Sequence, residues 1–329
     1  MKNCGLVADA GGTNIRFALV DLDGGGTPKL VAPHKYASKT FVTAMDAART
    51  YLSELKLDVS PVAAVLSVAG PVSDNAICMT NLGWRFSGAD FGKALNIADV
   101  RLINDYEAIG YSVASLDQAD LRDIGPAKAV RNEERQTVAI VGPGTGLGVG
   151  GYVRTSGTLV PLVTEGGHMD FAPADDIEIE VLKFLRGRYG HVSAERILSG
   201  PGLSNLHEAL SAIEGRASGR LDAHEITAQA MKDAKSFCGN TLSRFCAIMG
   251  SVAGDIALVI GARSGVLLAG GILPAVADFF SASDFRARFE AKGRFEAYMK
   301  NIPTQLIVQD NAGLIGAAAI LTAMHGMPG

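Results

Sequence analysis

Short apolar runs separated by glycine-rich or polar turns recur along the whole chain. A short apolar run bounded by turn residues is typical of a buried strand, whereas apolar residues spaced three or four apart are typical of a helix. The chain alternates between these two patterns, which indicates an α/β fold. The runs predict strands at residues 6–8, 15–20, 63–68, 76–79, 100–103, 137–141, 147–153, 266–269 and 305–308.

Apolar residues with helical spacing lie between most of these strands. They predict helices at 43–57, 106–116, 177–189, about 226–248, from about 274, and at 314–324. The most apolar stretch, 247–280, is interrupted by Asp255, Arg263 and several glycines. We therefore interpret it as a buried helix, a loop and a core strand, and not as a membrane span.

The chain is long enough, at 329 residues, for two domains that each have a core. The polar residues 117–136 are expected to connect two lobes, and the last strand and helix to pack back on the first lobe. The sequence thus predicts a small α/β domain of residues 1–110 plus about 302–329, and a large α/β domain of residues 111–301.

Composition excludes several classes of function. The chain is 48% hydrophobic and 19% charged, which is typical of a globular protein. Its net charge of −4, without a block of Lys and Arg, gives nucleic-acid binding little electrostatic support. The four cysteines form no CxxC pair and no metal-ligand spacing, and the N-terminus has no signal-peptide pattern. We therefore expect reduced thiols that fill the core of a cytoplasmic protein.

A glycine-threonine turn occurs twice. The first copy spans 9–14 and the second spans 142–148, and each joins two predicted strands. The tip of such a hairpin exposes backbone N–H groups, which can hold phosphate oxygens without basic side chains. Two such turns in one chain suggest two lobes that grip one polyphosphate ligand.

Asp105 is the candidate catalytic residue. It follows a predicted strand, at the kind of position where loops place functional groups in α/β folds. A carboxylate there could take the proton of an attacking hydroxyl group. The same residue could instead be the N-cap of a helix that begins at Tyr106, and the pattern alone leaves both interpretations open.

Eight segments together match a known family. The chain resembles the bacterial glucokinases of the proteobacterial type, which belong to the superfamily of sugar kinases, actin and Hsp70 ATPases. This resemblance implies a two-lobed ribonuclease H-like (actin-like ATPase) α/β fold with the active site in the interlobe cleft. The matching segments are residues 6–16, 79–81, 103–106, 142–148, 165–173, 193–202, 268–272 and 310–314.

The resemblance implies ATP-dependent phosphorylation of the 6-hydroxyl of D-glucose, with Asp105 as general base. It places Asp9 near Mg²⁺, through water, because Mg²⁺ keeps much of its hydration shell. The sugar-contact positions are Asn104, Asp105, Glu165, His168 and Glu195, with Asn81 as a weaker candidate. The nucleotide-contact positions are Ala8, Asp9, Ala10, Gly11, Gly12, Thr13, Asn14, Gly144, Thr145, Gly146, Gly270 and Gly271.

Three alternatives stay open beside this interpretation: a kinase for another hexose such as fructose or mannose, a sugar sensor without catalysis, and an ATPase of the Hsp70 or actin kind. The related ROK sugar kinases carry a zinc-binding cysteine cluster after the sugar-contact histidine. Here no cysteine follows His168 before Cys238, so no structural zinc is expected. The resemblance also makes a homodimer the expected assembly.

Overall fold

The computed structural model describes residues 3–24, 27–56, 60–79, 81–129, 134–216 and 219–325. The chain forms two compact units, which we call unit 1 (Met1–Asp120 with Gln309–Gly329) and unit 2 (Leu121–Val308). The domain boundaries expected from the sequence, at 110 and about 302, lie earlier in the chain than these. The predicted helix end at 57, residue 80 of the matching segment 79–81, and residues 130–133 of the expected connection lie outside the described residues.

The strands of the described residues form two larger sheets and one hairpin. They are β1 (Cys4–Ala10), β2 (Asn14–Asp21), β3 (Leu30–Ala37), β4 (Ala63–Val68), β5 (Ala76–Met79), β6 (Trp84–Ser87), β7 (Asp99–Asn104), β8 (Leu121–Asp123), β9 (Arg135–Pro143), β10 (Leu147–Thr155), β11 (Thr158–Val163), β12 (Gly265–Leu268) and β13 (Thr304–Ile307).

The helices range from a single turn to a long core helix. They are α1 (Ala44–Leu55), α2 (Gly88–Leu95), α3 (Asp105–Ser112), α4 (Asp176–Tyr189), α5 (Gly200–Ile213), α6 (Ala223–Lys232), α7 (Phe237–Ile260), α8 (Ile272–Ala275), α9 (Ala277–Ser281), α10 (Phe285–Glu290), α11 (Glu296–Lys300) and α12 (Ala312–His325).

Unit 1 is built on a five-stranded sheet in the order β3-β2-β1-β4-β7. Strands β1, β4 and β7 are parallel, and β2 returns antiparallel to β1. Leu6 packs in a core cluster with residues of α1, whereas Val7 packs in another cluster with residues of α12. Because helices cover both faces, the parallel strands are apolar without alternation, which explains why the sequence predicts them so clearly.

Helix α12 packs against α3 within unit 1 at a very short distance. A Cβ atom added at Gly316 would lie 1.7 Å from the carbonyl oxygen of Ala108. Real Cβ atoms do not approach a backbone oxygen so closely, so glycine is required at this crossing.

Unit 2 contains a six-stranded sheet in the order β11-β10-β9-β12-β13-β8, of which β9, β12 and β13 are parallel. Helix α7 is long and apolar enough to cross a membrane by length and composition alone, but 61% of its most apolar window is buried inside the protein. It is therefore a core helix, as the sequence predicts for the start of the stretch 247–280.

Several boundaries predicted from the sequence are wrong. The single helical region expected at about 226–248 is two helices, because Ser236 caps α7 by accepting a hydrogen bond from the N–H of Gly239. Helix α5 was missed, because Gly200-Pro201-Gly202 reads as a loop although Pro is well suited to a first helical turn.

Cys78 corrects the expectation that the cysteines fill the core. It is exposed on β5, while its neighbours Ile77 and Met79 are buried. Successive side chains of a strand point to opposite faces, which places Cys78 on the open one. The other three cysteines are buried.

Candidate active site

The first glycine-threonine turn joins β1 to β2 and is held from inside unit 1. The N–H of Gly11 donates to the carbonyl oxygen of Asn14 at 2.9 Å. Ser38 donates twice, from its hydroxyl to the carbonyl of Gly11 and from its N–H to the carbonyl of Thr13, both at 2.9 Å. Protein donors thus occupy the carbonyl oxygens of the turn, which reduces their repulsion of an approaching phosphate. Thr13 is exposed at the tip.

Asp9 lies at the carboxyl end of β1, next to this turn. Its carboxylate accepts a hydrogen bond from the hydroxyl of Ser67 at 3.1 Å and lies 3.5 Å from the guanidinium of Arg16. Burial raises the pKa of the Asp9 carboxyl, while Arg16 and Ser67 act to lower it. The side chain keeps 21% of its surface exposed, so the carboxylate remains accessible to a ligand.

Gly313, in the first turn of α12, contacts the same carboxylate. A Cβ atom added at Gly313 would lie 2.8 Å from Cγ of Asp9 and 2.9 Å from its Oδ2. The N-terminus of a helix carries partial positive charge, which favours a carboxylate there. Asp9 is thus held by groups on β2, β4 and α12, and the last of these contacts was not foreseen from the sequence.

Asn104 and Asp105 follow at the end of β7. The side-chain oxygen of Asn104 accepts from the N–H groups of Tyr106 (2.9 Å) and Glu107 (3.3 Å), and its amide donates to the carbonyl of Gly70 at 3.1 Å. Asn104 is therefore the N-cap of α3, the role that the sequence left open for Asp105. Asp105 is the first helical residue; it is half-buried and accepts from the N–H of Tyr106 at 3.1 Å.

The register of the parallel strands brings these groups to one edge of the sheet. Ala10 pairs with Val68, and Val68 pairs with Asn104. The carboxylates of Asp9 and Asp105 and the first turn therefore share the carboxyl edge, where ligands bind in open α/β sheets. The side chains of Ala8 and Ala10 do not reach this surface, since both are buried in the core.

The second turn joins β9 to β10 in unit 2. The N–H of Gly144 donates to the carbonyl of Gly146 at 2.7 Å, and the carbonyl of Gly144 accepts from the N–H of Gly200 at 2.8 Å. Thr145 is exposed at the tip. Gly270 packs beside it with a positive φ of 83°, and a Cβ atom there would lie 2.4 Å from the carbonyl oxygen of Pro143. Only glycine fits that position.

Glu195 holds the second turn directly. Its Oε2 accepts a hydrogen bond from the N–H of Leu147 at 2.9 Å, and a Cβ atom at Gly146 would lie 2.4 Å from the same oxygen. The sequence resemblance gave Glu195 a sugar contact. The structure adds a contact of the same carboxylate with the turn that is expected to hold phosphate.

His168 ends a short 3-10 turn, Gly166–His168, and Glu165 directly precedes that turn; both residues are exposed. A Cβ atom at Gly167 would lie 2.0 Å from the carbonyl oxygen of Leu147, so this loop rests on the first residue of β10. The carbonyl of Met169 accepts from the N–H of Ala194 at 2.8 Å. Unit 2 thus brings the loop, Glu195 and the second turn together.

The side chains around the candidate site suit Mg²⁺ that arrives with a nucleotide, but not a metal ion held by several side chains. Among the residues that the structure describes, no group of three or more His, Cys, Asp or Glu side chains could hold a metal ion. Mg²⁺ bound with a nucleotide needs few protein carboxylates, because phosphates and water supply most of its ligands. Asp9, partly exposed beside the first turn, suits that role.

Three supporting residues were missed by reasoning from the sequence. Ser38 supports the first turn through two hydrogen bonds and Ser67 supports Asp9 through one, and no spacing in the sequence reveals these contacts. Gly313 lies in segment 310–314, which matched the family without a role, and that match was the available signal.

The chain is similar to known proteins over nearly its whole length. A family model described as "Glucokinase" matches residues 6–324. A glucokinase from Caulobacter sp. (strain K31) is 47% identical over 318 residues, covering 97% of this chain and 95% of that protein. A crystal structure of glucokinase from an Antarctic psychrotroph has a TM-score of 0.82 and 38% identity, covering 98% and 100% of the two chains. A ROK family glucokinase from Streptomyces griseus, in complex with glucose and AMPPNP, covers 97% and 99% with a TM-score of 0.65. At 18% sequence identity, the similarity to this protein shows a shared fold and nothing more.

Proposed function

Because the chain belongs to the glucokinase family, we propose that it transfers the γ-phosphoryl group of ATP to the 6-hydroxyl of D-glucose, giving ADP and glucose 6-phosphate. The observation that carries the assignment of residues is the division of labour at the end of β7. Asn104 caps α3, so Asp105 is not needed for the cap, and it follows β7 at the same edge of the sheet as the first turn.

In the proposed reaction Asp105 acts as general base. The oxygen of the 6-hydroxyl forms a bond to the γ-phosphorus while the bond from that phosphorus to the leaving oxygen of ADP breaks. The proton of the hydroxyl passes to the Asp105 carboxylate. Phosphoryl transfer needs little covalent chemistry from the protein, so positioning and charge neutralisation supply most of the acceleration.

The two turns and Asp9 would hold the phosphates and their metal. The N–H groups of Gly11 and Gly144 already donate within their own turns. The proposed phosphate donors are therefore the N–H and side-chain groups of residues 12–14 and 145–146, and the backbone at Gly270 and Gly271 allows close approach of the nucleotide. Bound Mg²⁺ would supply neutralisation of phosphate charge. Asp9 would orient the metal by accepting a hydrogen bond from one of its waters.

Glucose recognition is proposed for Asn104, Asp105, Glu165, His168 and Glu195. A buried sugar hydroxyl that lost its partners would cost about 1–3 kcal/mol, so a hexose site needs fixed amides and carboxylates. Asn104 uses its side-chain oxygen and part of its amide inside the protein. The amide carries two N–H groups, so Asn104 can contact a hydroxyl as a donor without leaving the cap.

We propose further that both units contribute to one active site, as the actin-like two-lobed fold of the family implies. One turn belongs to each unit, and both turns match the family, which supports this arrangement. Closure on glucose would exclude water, so that the 6-hydroxyl outcompetes water for the γ-phosphate. A homodimer in the cytoplasm is proposed from the family resemblance, and light scattering of the purified protein tests the assembly.

A coupled assay of ATP-dependent phosphorylation over a panel of hexoses, with and without Mg²⁺, tests the proposed function. We expect Mg²⁺-dependent activity on glucose and little activity on fructose or mannose. Activity centred on another hexose would keep the reaction and replace the substrate. Binding of glucose without turnover of any hexose would instead favour a sugar sensor.

A further inference from the structure

A cavity of about 660 Å³ opens in unit 2 at the amino ends of β9 and β12. Its walls come from the start of β9, from the segment that follows α7, and from α11 and the two residues after it. The side chains that matter below are Arg135, Thr137, Arg263, Ser264, Tyr298 and Asn301. The volume lies within the range of small-molecule sites, which is about 300–1,000 Å³.

The cavity is distinct from the candidate active site. Arg135 is the first residue of β9, and Pro143, next to the second turn, is the last. A strand of this length spans roughly 25 Å, so the two ends lie well apart. Likewise Ser264 precedes β12, whereas Gly270 follows it.

The charged side chains that line the cavity are both positive. Arg135 and Arg263 line it, and no Asp or Glu does. In the described part of the chain neither arginine takes part in a salt bridge, although Arg16, Arg244 and Arg288 all do. Both arginines are exposed, and a cavity lined by two cations and no acidic residue contrasts with the net charge of −4 of the whole chain. Such a pair favours an anion, and the planar guanidinium group suits phosphate.

The C-terminus of α7 does not oppose an anion strongly. A helix C-terminus is the negative pole of the helix, and its unpaired carbonyls would repel a phosphate. Here the carbonyl of Leu258 accepts from the N–H of Gly261, and that of Ala257 accepts from Ala262. The last carbonyls of the helix are thus partly neutralised by this cap.

The floor of the cavity is ordered by pairing between its two strands. The N–H of Thr137 donates to the hydroxyl oxygen of Ser264 at 3.3 Å, and the N–H of Ser264 donates to the carbonyl of Thr137 at 3.2 Å. Tyr298 is half-buried, and the amide of Asn301 donates to the carbonyl of Ala297 at 2.9 Å. Polar groups on a fixed floor beside two cations suit a hydroxylated molecule that carries a phosphate.

We propose that this cavity is a second ligand site, which binds the phosphate ester of a small polyol through Arg135 and Arg263. The two guanidinium groups hold the phosphate, and the polar groups around Tyr298 and Asn301 contact the hydroxylated part. Ligand binding here involves no group of the candidate active site, so the site is able to report on a phosphorylated metabolite that is neither substrate nor product.

Isothermal titration with ribose 5-phosphate tests the site on the full chain. Each titration is run on the unliganded protein and again with saturating glucose and AMPPNP, which would occupy the active site. We expect one site that persists in the presence of both ligands. The double variant Arg135→Gln/Arg263→Gln should weaken binding at least tenfold, whereas the control Arg85→Gln/Arg186→Gln, which removes the same charge from exposed arginines elsewhere, should not.

Two results would overturn the proposal: wild-type protein that does not bind ribose 5-phosphate, or equal binding by the two double variants. Titration with orthophosphate distinguishes a site for a phosphate ester from a site for free phosphate. If orthophosphate bound as tightly as ribose 5-phosphate, the proposal of an ester as ligand would be wrong. Phosphoryl transfer is measured separately, and the double variant should keep the wild-type kcat. The affinities of the two double variants are measured without any catalytic step. A wrong proposal for the second site can therefore be distinguished from a wrong proposed function.

Discussion

The two glycine-threonine turns look alike in sequence but are supported in different ways. The first turn has its carboxylate in its own hairpin, since Asp9 belongs to β1 and lies opposite Arg16 on β2. The second turn has no acidic residue in its hairpin strands and receives a carboxylate from Glu195, far along the chain. The threonines at both tips are exposed.

This difference teaches that turns of similar sequence can be supported for two different tasks. A carboxylate that is partly buried and partly exposed, as Asp9 is, can act on a metal through its charge. A carboxylate that accepts a hydrogen bond from the backbone of the turn, as Glu195 does, mainly fixes the conformation of the turn. We therefore expect loss of charge to be severe in unit 1 and mild at the second turn.

The largest effect is expected at Asp105, on the same edge as the first turn. Asp105→Asn removes the proton acceptor and should lower kcat by about 100- to 10,000-fold. The fold should persist, because Asn104 supplies the cap of α3. Glu107→Gln, in the same helical turn, is the matched control and should keep kcat close to wild type in the coupled assay. Near-normal turnover of Asp105→Asn would remove Asp105 from the mechanism.

The next largest effect is expected at Asp9. Asp9→Asn keeps the size of the side chain and removes its charge, and we expect kcat to fall by about 100-fold or more, as for the loss of an electrostatic group at a reacting phosphate. The dependence of the rate on Mg²⁺ concentration should also change. A variant with an unaltered Mg²⁺ dependence would break the comparison, because Asp9 would then only support the turn.

The same variant makes a prediction for stability. Burial raises the folded-state pKa of Asp9 above 3.8, so the folded protein binds this proton more readily than the unfolded chain does. The ionised carboxylate therefore opposes folding at neutral pH, and this penalty disappears as the pH falls from the raised pKa towards 3.8. Asp9→Asn should melt at or above the wild-type Tm at pH 7.5, and a lower Tm would contradict the cause assigned to the pKa.

Gly313 offers a test that leaves the charge of Asp9 in place. Gly313→Ala sets a methyl group against the carboxylate, and we expect kcat to fall roughly tenfold as Asp9 moves by a few tenths of an ångström. Gly187→Ala is the control, since it is an exposed glycine in α4 with no atom within 4 Å of the added Cβ. It should keep kcat and gain about 0.5–1 kcal/mol of stability. Equal kinetics of the two variants would show that the contact of α12 with Asp9 is not needed.

The smallest effect is expected at the second turn. Glu195→Gln keeps an oxygen that can accept from the N–H of Leu147, so KM for ATP should stay within about twofold of wild type. Glu195→Ala loses that hydrogen bond, worth about 1 kcal/mol, and KM for ATP should rise roughly fivefold. If Glu195→Gln raised KM for ATP as much as Glu195→Ala, charge would matter at both turns and the comparison would fail.

The sequence predicted those parts of the fold that depend on local pattern. Strands β4 and β5 were predicted at their observed bounds, because a buried strand is a continuous apolar run between turns. The sequence left Asp105 open as the N-cap of α3, and this alternative is wrong. Asn and Asp cap helices equally well, so only the structure shows that Asn104 is the capping residue. The contacts of Gly313 and Glu195 join segments far apart in the chain, and no local pattern encodes such distances.

The contact between α12 and α3 has a consequence for how the protein is made. Unit 1 begins at the N-terminus, yet the cluster around Val7 and Val65 includes Leu314, Ala317 and Leu321 of α12. These residues leave the ribosome only after all of unit 2, and at 5–20 residues per second that delay is on the order of ten seconds or more. Unit 2 is continuous and can fold while the chain is still being synthesised. The N-terminal strands can complete their core only when the last helix is available. A chain truncated before α12 should therefore contain a folded unit 2 and an incompletely folded unit 1.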